Sequence, residues 1–207
     1  MNLPNRLTLL RLFLVIPFIV IMSLSLTYTS EELSYSLFNT KTILFIVGGL
    51  IFIFAMITDF LDGYLARKNN QVTSFGKLFD PLADKFMTSS GFIFLILFKL
   101  VPLWIPLIMI LRDILVDGSR NVAAKNKIEV SANVFGKVKT VLQTLTLILF
   151  FSIAPIIEGK YLFMDYVYDG NWRIWSMNII TLIAMISSII SGWIYFSKIK
   201  NVLKEDN

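Results

Sequence analysis

The sequence predicts an all-α integral membrane protein, with six transmembrane helices behind a short N-terminal interfacial segment and both termini cytoplasmic. Three observations carry that prediction. The 207 residues are 56% hydrophobic and only 16% charged, with a mean hydropathy of +0.73, a composition suited to lipid rather than water. Apolar runs of membrane-crossing length recur between short polar connections. Of the 19 Lys and Arg, only Lys41, Lys99, Lys160 and Arg173 fall at the first, third and fifth connections; the other 15 lie at the opposite side, which the positive-inside rule makes cytoplasmic. Residues 1–207 read as a single membrane domain.

Met1 to Leu9, with Pro4 and Arg6 among leucines, suit the interfacial segment, and the first span follows over about residues 10–26. Arg11 lies inside that apolar run and no small-residue cleavage site follows it, so the run is expected to remain as a helix and not to be removed as a signal peptide. A polar loop, Thr27 to Thr40, leads to the second span, about 41–64, which carries Asp59 and Asp62 near its end. The third helix is expected over about 80–98, because Pro81 suits a first helical turn and Asp80 then takes the N-cap position. Asp84, one turn later, is not explained by capping. Lys99 to Pro102 form a turn into the fourth helix, about 102–124, which carries Arg112, Asp113, Asp117 and Arg120. The fifth helix, about 136–157, begins with Lys137, Lys139 and Thr140, and the sixth, about 174–197, is uncharged throughout. Trp104, Trp172 and Trp175 suit the non-cytoplasmic interface as aromatic anchors.

Composition also limits the chemistry. The absence of cysteine and histidine removes thiol catalysis, disulfides, the commonest general base and the commonest transition-metal ligand, so any metal must be held by oxygen. The pI near 9.4 and net charge of +5 fit an anionic leaflet or phosphate ligands, and no nucleic-acid partner is expected.

The stretch Asp59 to Asp84 holds the clearest chemistry. It reads D-x-x-D-G-x-x-A-R, eight residues, then G-x-x-x-D-x-x-x-D. In helices, Asp59 and Asp62 share one face and Asp80 and Asp84 another, and four carboxylates meet if the two helices do. Taken singly, each aspartate reads as a helix cap or an ion-pair partner of Arg67, Lys77 or Lys85. Taken together, with Gly63 and Gly76 among them, they read as a site for two hard divalent cations, Mg2+ or Mn2+, bridging to substrate phosphate. One acid not fully committed to metal could take a proton from an attacking hydroxyl. Gly76 suits either close helix packing or the approach of a ligand to the backbone.

A second, basic set lies on the fourth and fifth helices. Arg112 and Arg120 are about two turns apart and share a face, and Lys137 and Lys139 sit at a helix N-terminus that already favours anions. These four are read as a phosphate site, whereas Lys125, Lys127, Lys198, Lys200 and Lys204 are read as topology determinants.

The skeleton Asp59, Asp62, Gly63, Ala66, Arg67, Gly76, Asp80, Asp84 resembles the signature of the CDP-alcohol phosphatidyltransferases at every fixed position. The segments NLPNRLTLLR, RDILVDGSRNVAAKNK and FGKVKTVLQ look like those of the bacterial phosphatidylglycerophosphate synthase branch. The tract after Arg112 departs from the expected pattern in bearing Asp113 and Asp117-Gly118-Ser119. The resemblance implies transfer of a phosphatidyl group from CDP-diacylglycerol to an alcohol, releasing CMP, with two divalent metals, in a homodimer whose site opens sideways to membrane lipid. It implies that Asp59, Asp62, Asp80 and Asp84 lie at the metals and that Asp84 is the base. Asp59, Gly63, Ala66 and Arg67, with Gly76, would border the CDP-lipid. The acceptor it implies is glycerol 3-phosphate, whose own phosphate gives Arg112, Arg120, Lys137 and Lys139 a task. Inositol phosphate, serine or phosphatidylglycerol are the rival acceptors. A cation-coupled transporter is the rival of a different class, but the acids cluster at one interface and no inverted repeat is visible. The expected setting is the bacterial cytoplasmic membrane, crossed several times, with the site facing the cytoplasm.

Overall fold

A computed structural model describes residues 3–27, 35–68, 73–125, 134–158 and 172–205. Its elements are six α-helices in sequence: α1 (Leu3–Thr27), α2 (Tyr35–Lys68), α3 (Ser74–Leu97), α4 (Trp104–Lys125), α5 (Val134–Glu158) and α6 (Trp172–Glu205). Four of them contain stretches long and apolar enough to cross a membrane, namely Asn5–Thr27, Thr40–Leu65, Val134–Pro155 and Trp175–Ser197. Among the described residues α3 and α4 do not meet that standard. At 24 and 22 residues each reaches about 33–36 Å at 1.5 Å per residue, so length is sufficient. Charge is what sets them apart: α3 carries Lys77, Asp80, Asp84 and Lys85, and α4 carries Arg112, Asp113, Asp117 and Arg120.

Several helix boundaries differ from expectation, and α6 runs on to Glu205 where an end near residue 197 was expected. Residues 3–9 form the first turns of α1, continuous with the expected first span, since nothing in PNRLTLL forces a break after the opening Pro4. The second helix starts at Tyr35 and runs to Lys68. At about 51 Å, it exceeds the roughly 30 Å hydrocarbon layer, and Asp59 and Asp62 fall near its C-terminal end as expected, nine and six residues before Lys68. The third helix starts at Ser74, with Thr73 as its N-cap in extended conformation (φ −102°, ψ 158°). The Thr73 hydroxyl accepts from the Gly76 N–H at 3.0 Å, satisfying one of the donors a helix start leaves over. Asp80 is therefore not an N-cap, and Pro81 lies well beyond the first helical turn. The far end of α3 closes as expected for a tight turn: Lys99 N–H donates to the Ile96 carbonyl and Leu100 N–H to the Leu95 carbonyl. This is the Schellman pattern, with Lys99 at φ 57° where glycine is more usual.

Two compact units make up the chain: Met1–Leu100 with Leu147–Tyr166, and Val101–Thr146 with Val167–Asn207. In the first, α1 packs against α2 and α3. Its core is a set of phenylalanines. Phe18 meets Phe94 edge-on at 5.7 Å, Phe45 meets Phe98 edge-on at 5.0 Å, and Phe151 touches Phe18, Phe45 and Phe52, the tilted geometries that ring quadrupoles favour. In the second unit, α4 packs against α6, with Val116, Met109 and Ala184 buried.

Candidate active site

The acid-bearing segment lies entirely in the first unit. Asp59 and Asp62 are one turn apart on α2. Asp62 is buried, at 3% exposure, whereas the Asp59 side chain keeps 41% of its surface. Both carboxylates converge on Arg11 of α1, which is fully buried. The guanidinium pairs through NH1 with Asp59 Oδ1 and through NH2 with Asp62 Oδ2. A cation inside an apolar helix is costly unless it is paired, and here two acids from the neighbouring helix pair it.

Asp80, partly exposed on α3, is within electrostatic reach of both Asp59 and Asp62. One of its oxygens, Oδ1, accepts a hydrogen bond from the hydroxyl of Thr8. The other faces Gly76. A Cβ on Gly76 would meet Asp80 Oδ2 at 3.2 Å, Thr73 Oγ1 at 3.4 Å and Asn5 Oδ1 at 3.6 Å. Thr73 in turn donates to Asn5 Oδ1 at 2.7 Å. Gly76 is thus buried where three oxygens close in on its backbone, so the close packing that its sequence context suggested is present, with polar rather than apolar neighbours. Asp84, partly exposed, follows Asp80 by one turn, and its backbone carbonyl accepts from the Thr88 hydroxyl at 2.9 Å. Ala66 and Arg67 belong to the last turn of α2, but their side chains lie outside the described residues. Gly63 is partly buried beside Asp62.

Among the described residues no three of these acids are drawn tightly enough to enclose an ion unaided. The donor set nevertheless fits a hard divalent cation. Asp59, Asp62 and Asp80 set three negative charges against the single positive charge of Arg11, and every donor is oxygen. Arg11 engages one oxygen of Asp59 and one of Asp62, and Asp62 also accepts from the Gly63 backbone N–H.

The basic residues belong to the second unit. Arg112, at the middle of α4, donates from NH1 to Asp113 Oδ1 and from NH2 to Ser191 Oγ of α6, both at 2.9 Å. Lys139 of α5, buried at 6% exposure, donates to the same Asp113 Oδ1. Arg112 also lies against Gly192, where a Cβ would stand only 2.9 Å from its Nε. Arg112 and Lys139 therefore share one carboxylate, a cluster with a net positive charge. Arg120 is elsewhere engaged, its guanidinium carbon 5.6 Å from the centre of the Tyr195 ring, a cation–π distance. Lys137 is exposed, in the first turn of α5.

Sequence reasoning missed Arg11, Thr8, Asn5 and Thr73 around the acids, and Ser191 beside Arg112. One of them carried a signal: a charge within an apolar run implies a buried partner, and Arg11 is such a charge. The others are uncharged side chains whose partners lie far along the chain, and no local pattern marks them.

A multi-helix membrane protein that gathers carboxylates on two helices and steadies them from a third is the class defined by this fold and site. The family model described as CDP-alcohol phosphatidyltransferase matches residues 1–184, and the chain belongs to that family. Members of the family work with divalent metal ions. Among its relatives, a CDP-diacylglycerol--glycerol-3-phosphate 3-phosphatidyltransferase of Bacillus subtilis (strain 168) is 36% identical over 207 residues, covering 100% of this chain and 99% of its own. The protein of the same description from Rickettsia typhi is 38% identical over 204 residues, covering 96% and 97%. Another, from Mycoplasma pneumoniae, is 38% identical over 153 residues, covering 72% and 66%.

Proposed function

We propose that the protein transfers the phosphatidyl group of CDP-diacylglycerol to sn-glycerol 3-phosphate, giving phosphatidylglycerophosphate and CMP. The observation that carries this reading is the gathering of Asp59, Asp62 and Asp80 around Arg11 and Gly76, on a chain whose full-length relatives bear that activity in their names. In the reaction the acceptor hydroxyl oxygen bonds to the phosphorus bearing the diacylglycerol, the phosphoanhydride bond to CMP breaks, and the hydroxyl proton leaves.

Asp59, Asp62, Asp80 and Asp84 would hold two divalent ions, Mg2+ or Mn2+. Bound there, the ions neutralise the diphosphate oxygens and the departing CMP. Asp84 takes the proton from the acceptor hydroxyl. Gly63, Ala66, Arg67 and Gly76 border the CDP-lipid, Gly76 by letting Asp80, Thr73 and Asn5 close around its backbone. Arg112 and Lys139, steadied by Asp113, hold the acceptor's phosphate together with Lys137 and Arg120. Such a cluster suits an acceptor that carries a phosphate and gives no advantage to serine. In the same reading the protein is a homodimer in the bacterial cytoplasmic membrane, with six spans and its site facing the cytoplasm.

An acceptor panel tests the proposal. Purified protein is given CDP-diacylglycerol and Mg2+ or Mn2+ with glycerol 3-phosphate, inositol phosphate, serine or phosphatidylglycerol, and the lipid product is identified. The expected product is phosphatidylglycerophosphate. No product from glycerol 3-phosphate, with turnover of another acceptor, would overturn the choice of acceptor while leaving the reaction class in place.

A further inference from the structure

We infer that Arg11 is a positioning residue of the acid centre: it orients Asp59 and Asp62 toward a divalent cation. The inference rests on reading that centre as a metal site. Three observations lead to it.

First, Arg11 has no solvent-exposed surface, so its charge interacts with the protein alone, and both partners it takes are members of the acid motif. Second, the two arms of the planar guanidinium reach different carboxylates, NH1 to Asp59 Oδ1 and NH2 to Asp62 Oδ2. The NH2 arm donates to Asp62, while NH1 reaches Asp59 as an ion pair outside hydrogen-bond geometry; one planar group thus engages both acids at once, a task a flexible ammonium does not reproduce. Third, Arg11 is one of a series. Thr8 engages Asp80 and Asn5 engages Thr73, so positions 5, 8 and 11 of α1 steady acid-bearing or Gly76-flanking groups on both α2 and α3. The series resembles the hydrogen-bonded outer partners of metal ligands generally, whose loss costs about 10–100-fold in metal affinity.

The positive charge of Arg11 opposes a cation, and that argues for the opposite effect. Three carboxylates already outweigh it, and without the fork Asp59 and Asp62 repel one another and turn apart. Orientation is therefore expected to dominate.

The test is binding of Mn2+ alone to metal-stripped protein in detergent, read from the electron paramagnetic resonance signal of free Mn2+. A parallel series follows the Mn2+-dependent shift of the unfolding temperature. Wild type is compared with Arg11→Met, which fills the same space without charge, and Arg11→Lys, which keeps the charge without the fork. The expected result is binding about 10-fold or more weaker in both variants, at unchanged helicity and elution volume. Equal or tighter binding in either folded variant would overturn the inference and leave the metal site standing. Absence of Mn2+ binding by wild type would instead remove the metal-site reading, and this inference with it. Should a variant fail to fold, rescue by Mn2+ supports the inference, while failure at every Mn2+ concentration assigns Arg11 to folding alone and overturns it.

Discussion

At the scale of single residues, the acid centre combines side chains with separable tasks. Asp84 lies one turn beyond Asp80 and is the proposed base, so Asp84→Asn is expected to remove turnover while leaving CDP-lipid binding largely intact; retained turnover within about tenfold of wild type would contradict that role, since general-base catalysis is worth about 10²–10⁴. Gly76 makes a different prediction. In Gly76→Ala the new methyl would stand 3.2 Å from Asp80 Oδ2, a contact relieved by moving the carboxylate a few tenths of an ångström. The expected outcome is a folded protein with a clear loss of activity, checked by comparing turnover with thermal stability; unchanged turnover would show that the close approach of Asp80 to Gly76 is not needed. On the basic side, Arg112→Ala is expected chiefly to raise the KM for glycerol 3-phosphate, and an unchanged KM would return Arg112 to helix packing through Asp113 and Ser191. The four aspartates were legible in the sequence because their spacing alone puts them on helix faces. Arg11 was visible as an oddity but its partners were not. Asp62 is 51 positions away, and nothing in local periodicity says which helix will pack beside α1.

At the scale of elements, the start of α3 decides where Asp80 points. Sequence reasoning placed that start at Asp80 and Pro81, since proline favours a first turn and aspartate an N-cap. The structure uses Thr73 with Gly76 instead, and Asn5 of α1 secures the cap from outside. A tertiary contact thus settled a boundary that local signals assigned elsewhere. Thr73→Ala removes both bonds and is expected to cost about 1 kcal/mol, seen as a lowered unfolding temperature, together with weakened activity because Asp80 and Gly76 follow directly. A loss of activity without any loss of stability would contradict the capping account. The turn at Lys99 belongs to the same scale; its φ of 57° is a conformation that costs a side-chain-bearing residue about 1–2 kcal/mol.

At the scale of the whole molecule, six helices were legible from hydropathy, and six are present among the described residues. Their role as spans is less uniform, because α3 and α4 interrupt their apolar faces with the charges that make up the two candidate sites. α1 and α2 carry Arg11, Asp59 and Asp62 and still qualify, because a long uncharged run accompanies those charges, whereas in α3 and α4 several charges fall within one stretch of helix. The proposed orientation can be checked cleanly because the chain contains no cysteine. In Lys68→Cys and Trp104→Cys, both at exposed positions, a membrane-impermeant maleimide applied to intact cells is expected to label only the second. Labelling of position 68 from outside would reverse the orientation.

The central claim is that the carboxylates around Arg11 and Gly76 run a metal-assisted phosphatidyl transfer. The most direct measurement is CMP release by purified protein given CDP-diacylglycerol and glycerol 3-phosphate, first in chelator and then with Mg2+ or Mn2+ restored, for wild type and Asp62→Asn. The expected result is no release in chelator, recovery on adding either ion to wild type, and little or none in the variant. Undiminished release in chelator, or full activity of Asp62→Asn at low metal concentration, would contradict it.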